Sequence, residues 1–363
     1  MKNKTNMKYN MNRFFLHFLH FLHFLHSLQR TMHFYGLFDN DYLIAFVRYF
    51  SQFNKIKMTT GTIKNKSINY ILYQQSDAGW QNINWKTCEK VVAEQQEKIA
   101  IATKNKNMKE VYRLQWFLLK GWESQALAIR RVVTNKGGNT AGIDKVVWNT
   151  TKQYWEALIE LHNILEKPNC YIASPLKRVY IPKVGTTELR PLGIPTMIDR
   201  SIQVVYAMAL DPVVETHSDL HSYGFRKGRS PHDAISYLRH LLDKQVSLRW
   251  VLDANIRKCF DKISHDYLLK NTPICHKNVL KQWLKCGIME EMNWFNTESG
   301  TPQGGIISPI LCNIALNGLK EILDLKLRKG KQNSRNFVLK VTLVRFADDM
   351  IILGKSKEVL LTV

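Results

Sequence analysis

Residues 338–353 read VLKVTLVRFADDMIIL. Two apolar runs rich in β-branched residues, 338–346 and 350–353, are separated only by Ala347-Asp348-Asp349. Such runs around so short a polar break predict a β-hairpin with both carboxylates at its tip. Taken alone, a solvated turn explains the pair as well, because Asp is a common turn residue. The chemical alternative is a carboxylate pair held out on a rigid hairpin to grip divalent cations. Phosphoryl transfer to or from a nucleotide needs that grip, to activate the attacking hydroxyl and stabilise the leaving oxygen. Mg2+ takes carboxylate oxygens together with substrate phosphates.

Upstream, 250–256 (WVLDANI) reads as a buried strand, followed by Phe260-Asp261. Asp253 and Asn255 fall on one side of it, because side chains alternate along a strand. Gly300-Thr301-Pro302-Gln303-Gly304-Gly305 is a glycine-rich turn. Glycines permit close backbone approach to a ligand, and the helix start that follows favours anions, although a plain structural loop can have the same composition. Ser308-Pro309 opens that helix, predicted to run through about residue 325. Helical periodicity marks 85–104, 108–120, 123–134 and 152–166, and 176–183 reads as a strand. Residues 196–199 form a capping box opening a helix to about residue 215, and Ser230-Pro231 opens another to residue 242. Long helices interspersed with strands predict an α+β fold.

Lys and Arg number 52 against 30 Asp and Glu, a net charge of +22, which points to a polyanionic partner, nucleic acid first. Arg113, Lys120, Arg130, Arg131 and Lys136 crowd the early helices, where each is as well explained by a solvated face as by RNA contact. The six cysteines form no CxxC pair and no zinc spacing, and read as buried or incidental thiols of a reducing compartment. Near the start, 14–26 read FFLHFLHFLHFLH; the histidines drift around a helix at that spacing, so the stretch is low-complexity sequence rather than a metal site. No uninterrupted apolar run reaches the roughly 18 residues of a membrane span, so no membrane partner is expected.

Taken together and in order, these segments resemble the group II intron-encoded reverse transcriptases and maturases. YIPK (180–183), RPLGIP (190–195) and DRSIQ (199–203) are similar to the family's fingers region. SYGFRKGRSPHDA (222–234) is similar to its next block, VLDANIRKCFDKISH (251–265) to its first palm motif, GTPQGGIISPILCNIAL (300–316) to its second, and RFADD (345–349) to its third. Residues 80–152, with NTAGIDK at 139–145, resemble its N-terminal extension. The resemblance implies an incomplete right-hand polymerase, fingers and palm, preceded by a helical extension. The expected domains are a low-complexity leader over 1–79, a helical N-terminal domain over 80–151, and fingers with a partial palm over 152–363. It further implies that Asp348, with Asp349 beside it, binds two Mg2+ ions. Phe260 would be the gate against a ribose 2′-OH, Gln303 would lie against the incoming sugar and primer, and Lys183 and Arg190 would reach the triphosphate.

One position departs from the family pattern. The metal-binding Asp of the first palm motif belongs five residues before the gate aromatic, where this chain has Asn255. Asn is a weak Mg2+ ligand, so RNA-directed DNA polymerase activity should suffer. Asp253 is a possible substitute about 7 Å along the strand. The third motif carries Phe346 where Tyr is usual, which keeps the ring. The resemblance also leads one to expect a thumb and a maturase segment, here absent or encoded separately. The expected function is binding of group II intron RNA to assist splicing. The alternatives are an active polymerase using a DNA primer or target, and a relic or one piece of a split protein. The Asn-, Lys- and Ile-rich composition suggests an AT-rich organelle genome, chloroplast before mitochondrion.

Overall fold

The computed structural model describes residues 79–182, 185, 187–243, 250–329 and 341–361, so Lys183 and the histidine-rich leader lie outside the described residues. Four helices, α1 (Trp85–Lys104), α2 (Met108–Lys120), α3 (Trp122–Thr134) and α4 (Thr151–Glu166), surround a fifth, α5 (Met197–His217). Asn84, Asn107 and Thr150 cap α1, α2 and α4 by accepting from the backbone N–H groups of Thr87, Glu110 and Gln153. Every residue of α5 from Asp199 to Leu210 is buried, as expected of a helix enclosed on all sides.

Within α5, Pro212 has no N–H to give the carbonyl of Met208, four residues back. Gln96 of α1 supplies the missing donor, its Nε2 lying 2.7 Å from Met208 O. Gln115 of α2 reaches the next carbonyl, Ala209 O, at 3.3 Å and Pro273 O at 2.8 Å. The extension therefore repairs a break that the sequence of α5 creates. Gln96→Leu is expected to leave Met208 O without its partner and to cost about 1–3 kcal/mol, measured as a lower urea midpoint at unchanged slope.

The described strands form two sheets. In the first, β1 (Leu176–Pro182) pairs antiparallel with β2 (Leu189–Ile194) and parallel with β4 (Ile288–Glu290), which pairs with β5 (Asn293–Phe295). In the second, β7 (Asp349–Gly354) lies between β3 (Trp250–Asn255) and β6 (Thr342–Phe346), antiparallel to both. The short helices are α6 (Pro231–Leu242), α7 (Cys259–Lys262), α8 (His265–Asn271), α9 (Lys277–Lys285), α10 (Ser308–Leu316), α11 (Leu319–Lys329) and α12 (Lys357–Leu361). One face of the second sheet buries Leu343 and Ile352 against Leu323 of α11 and Val359 and Leu360 of α12. The opposite face packs Val344 and Phe346 against Tyr223 and Tyr237, the latter from α6. No described helix is long and apolar enough to cross a membrane.

Three expectations need correction. The strand at 250–255 is not buried: Trp250 is 46% and Val251 50% exposed, because β3 is an edge strand whose apolar residues exceed what the core covers. The helix from Ser308 does not run on to residue 325; it stops at Leu316, turns at Gly318 (φ +84°), and restarts as α11. At the start of α5, Thr196 Oγ1 accepts from Asp199 N, but the Asp199 carboxylate accepts from the Thr196 hydroxyl rather than the cap backbone, so the box is not reciprocal. A reciprocal box does form at Ser230 and Asp233, where the sequence predicts only a helix start at Ser230-Pro231.

Candidate active site

The tip of the β6–β7 hairpin is held from behind. Ala347 adopts a left-handed backbone (φ +58°), which brings Asp348 and Asp349 round the turn. Arg345, 1% exposed, donates from one guanidinium nitrogen to Ala347 O at 3.0 Å and to Asn313 Oδ1 at 3.2 Å. Asn313 of α10 donates in turn to Gly224 O at 3.1 Å. Gly224 lies so close to the turn that a Cβ there would be 2.3 Å from Ala347 N. The strand-like segment before it is tied to β6 by Arg345 N to His221 O and Tyr223 N to Arg345 O, both 2.9 Å. Burial lowers the pKa of the Arg345 guanidinium below its ordinary value.

Across the sheet, Asn255 stands directly opposite Asp349, and its side-chain Nδ2 donates to the Asp349 carboxylate. Ile256 N donates to Asp348 O at 3.2 Å, so the end of β3 is tied to the turn by backbone as well. Asp253 opposes Ile351, one same-face step from the Asn255–Asp349 pair, roughly 7 Å along the strand. Asp349 and Asn255 are exposed and Asp348 is half-buried.

Phe260 and Gln303 meet through Asp261 and the glycine-rich turn. Thr301 N donates to Phe260 O and Gly300 N to Ile263 O, each at 2.7 Å, while Gln303 Nε2 lies 3.3 Å from Asp261 Oδ1. Gly300 (φ +85°) has its Cα so near this segment that a Cβ would sit 2.7 Å from Phe260 O. Phe260 packs edge-on against Phe225, with ring centroids 5.9 Å apart. The same turn docks on the first sheet, where Gly193 N donates to Gln303 O at 2.8 Å. Arg190 is exposed at the start of β2, three residues from that contact.

Sequence reasoning assigned no role to several residues that build this arrangement. Gln203 Oε1 accepts from Ile306 N at 2.9 Å and Ile307 N at 3.4 Å, fixing the turn from inside α5. Arg200, one helical position from Asp199, donates to Pro195 O and Gly137 O, each at 3.0 Å, and also to Thr140 O. The signal was present: polar residues inside an otherwise apolar helix, in DRSIQ and again in LCNIAL, must find partners when buried. Of the early cations, Arg113, Lys120 and Arg130 pair with Glu110, Glu166 and Glu89, while Arg131 and Lys136 are exposed.

The residues present do not fit a two-metal centre. Asp348 and Asp349 are carboxylates, but the position facing them is an amide that donates a hydrogen bond to an oxygen a cation would need. Among the described residues no cluster of three His, Cys, Asp or Glu could hold a metal ion.

A helical extension, a fingers sheet docked on a glycine-rich turn, and a palm hairpin with two Asp at its tip define a right-hand nucleic-acid polymerase fold. The profile of the reverse transcriptase (RNA-dependent DNA polymerase) family matches residues 181–363, and that of the N-terminal domain of reverse transcriptase matches 80–161. The group II intron-encoded protein LtrA of Lactococcus lactis subsp. cremoris is 34% identical over 234 residues, 62% of this chain and 38% of LtrA. Protein YkfC of Escherichia coli (strain K12) is 30% identical over 297 residues, 74% of this chain and 77% of YkfC. A COX1/OXI3 intron 1 protein of Saccharomyces cerevisiae is 30% identical over 224 residues, 59% of this chain and 26% of that protein. The chain belongs to the reverse transcriptase family, in its group II intron-encoded reverse transcriptase and maturase branch.

Proposed function

We propose that this chain is a maturase-type protein that binds a group II intron RNA and assists its splicing without itself polymerising DNA. The observation that carries the reading is the Asn255–Asp349 hydrogen bond, which puts an amide donor where polymerisation calls for a cation. RNA binding needs no such cation. It needs the positive charge, +22 over the chain, and a folded scaffold, and both are kept. In this reading the extension and fingers hold the RNA, Asp348 and Asp349 are an inherited metal pair, and Mg2+ is left without its full ligand set. The intron RNA is the partner, and the composition favours an organelle, plastid ahead of mitochondrion.

Retention of Asp348, Asp349, Phe260 and Gln303 in one neighbourhood supports a second reading, an active RNA-directed DNA polymerase. Arg190, and Lys183 outside the described residues, would then meet the triphosphate, and Asp253 would stand in for the lost ligand. That reading adds Mg2+ and a DNA primer or target.

Crosslinking the protein to RNA in its host and sequencing what co-purifies tests the proposal. One group II intron strongly enriched, with binding that weakens steeply as salt rises, is the expected result. Equal recovery of every structured RNA would defeat it.

A further inference from the structure

Cys259 and Cys312 come from separate family motifs, and their sulfurs meet 3.8 Å apart in the interior. Cys259 opens α7, the short helix that also carries Phe260 and Asp261, and Cys312 lies on α10 beside Asn313. Both are free thiols, 5% and 0% exposed. We propose that these two cysteines form a peroxide-sensitive dithiol that closes to a disulfide beneath the Asp348-Asp349 turn.

A disulfide needs the sulfurs about 1.8 Å closer than they stand, and the two helices that carry them are packed against each other. The charge around the pair is mixed. The Arg345 guanidinium favours a thiolate on either sulfur, Asp348 opposes it on both, and Asp261 opposes it on Cys259. The hydrogen bond between the thiols lowers the pKa of Cys259 and raises that of Cys312, while burial opposes a thiolate on both. Cys259, 5% exposed where Cys312 is fully buried, is the sulfur that peroxide reaches first. Its sulfur attacks hydrogen peroxide, the O–O bond breaks, and a sulfenic acid and one water result. The Cys312 sulfur then attacks the sulfenic sulfur, forming the S–S bond and releasing a second water. Two thiols and one peroxide thus give one disulfide and two waters, with both electrons of the pair delivered to peroxide. Closure ties α7, and with it Phe260, Asp261 and the turn they support, to α10.

The other cysteines separate this pair from general thiol oxidation. Among the described residues no other two cysteines lie within hydrogen-bond distance of each other: Cys170 is exposed, and Cys88, Cys275 and Cys286 each have no second thiol beside them. The test uses the full chain carrying Cys170→Ser, treated with graded hydrogen peroxide, denatured, alkylated and mapped by mass spectrometry. The expected result is two fewer alkylated thiols, a peptide pair joining residues 259 and 312, and full reversal by dithiothreitol. Cys312→Ala on the same background should instead trap a sulfenic acid on Cys259, detected with a dimedone probe. Should that variant fail to fold, peptide mapping of the Cys312-containing chain decides alone. All thiols remaining alkylatable after peroxide treatment, or crosslinks that join other cysteines, would overturn the proposal.

Discussion

Asn255→Asp is expected to make the chain answer to Mg2+. The native protein should show the same melting temperature with and without the ion. The variant should melt lower without it and recover, or exceed, the native value when it is added. The reason is local. At present the Asn255 amide donates to Asp349, and the two side chains satisfy one another. An aspartate there would face Asp349 across the ladder, two like charges directly opposite, which destabilises a sheet pair. A cation between them turns repulsion into coordination. The same change should raise Mg2+-dependent primer extension from background by about a hundredfold or more, since a metal acting as Lewis acid is worth several kcal/mol and each 1.36 kcal/mol is tenfold in rate. Melting and extension are separate readouts. A Mg2+-dependent melting shift in the native chain would mean that Asp348 and Asp349 hold the ion without help, and the maturase reading would lose its principal support.

Gly224→Ala should damage the same tip without touching a carboxylate. The added Cβ would lie 2.3 Å from Ala347 N, a backbone atom, and a Cβ has no torsion by which to turn away from it. Ala347 is already in the left-handed region and fixed by Arg345, so the strain must move the turn or the 221–224 segment by about an ångström. Overpacking of this kind costs about 1–3 kcal/mol, seen as a lower unfolding midpoint. Placed on the Asn255→Asp background, the substitution should also remove most of the recovered extension, because a displacement near 1 Å at reacting groups can cost about a hundredfold. A stable variant with full Mg2+ response would show that the glycine is dispensable and that the Arg345–Asn313 brace positions the tip alone.

Much of this was legible in the sequence because the local signals were strong. The apolar spacing of 85–104 and 108–120 places two helices, and the Ala347-Asp348-Asp349 break between apolar runs places the hairpin. The family resemblance, counted five residues back from Phe260, singles out Asn255, the residue that stands opposite Asp349. What stayed hidden depends on partners far along the chain. No local pattern says that β3 is an edge strand, that Gln96 answers a carbonyl freed by Pro212, or that Cys259 meets Cys312. The helix break at Gly318 is not legible locally, because Leu319, Ile322 and Leu323 keep a helical spacing past the one glycine.

The enclosure of α5 bears on how this protein can be taken apart. Its residues serve different regions: Arg200 holds the loop after α3, Gln203 holds the glycine-rich turn, and Met208 depends on α1. A chain divided near residue 151 would therefore not yield an accessory and an engine. Each part would carry away an apolar surface shaped by the other, and the larger one would also keep a helix with an unanswered carbonyl at its proline. For this architecture the extension is a structural wall rather than an attachment, and lineages that exchange or discard it should be found to have rebuilt α5 as well.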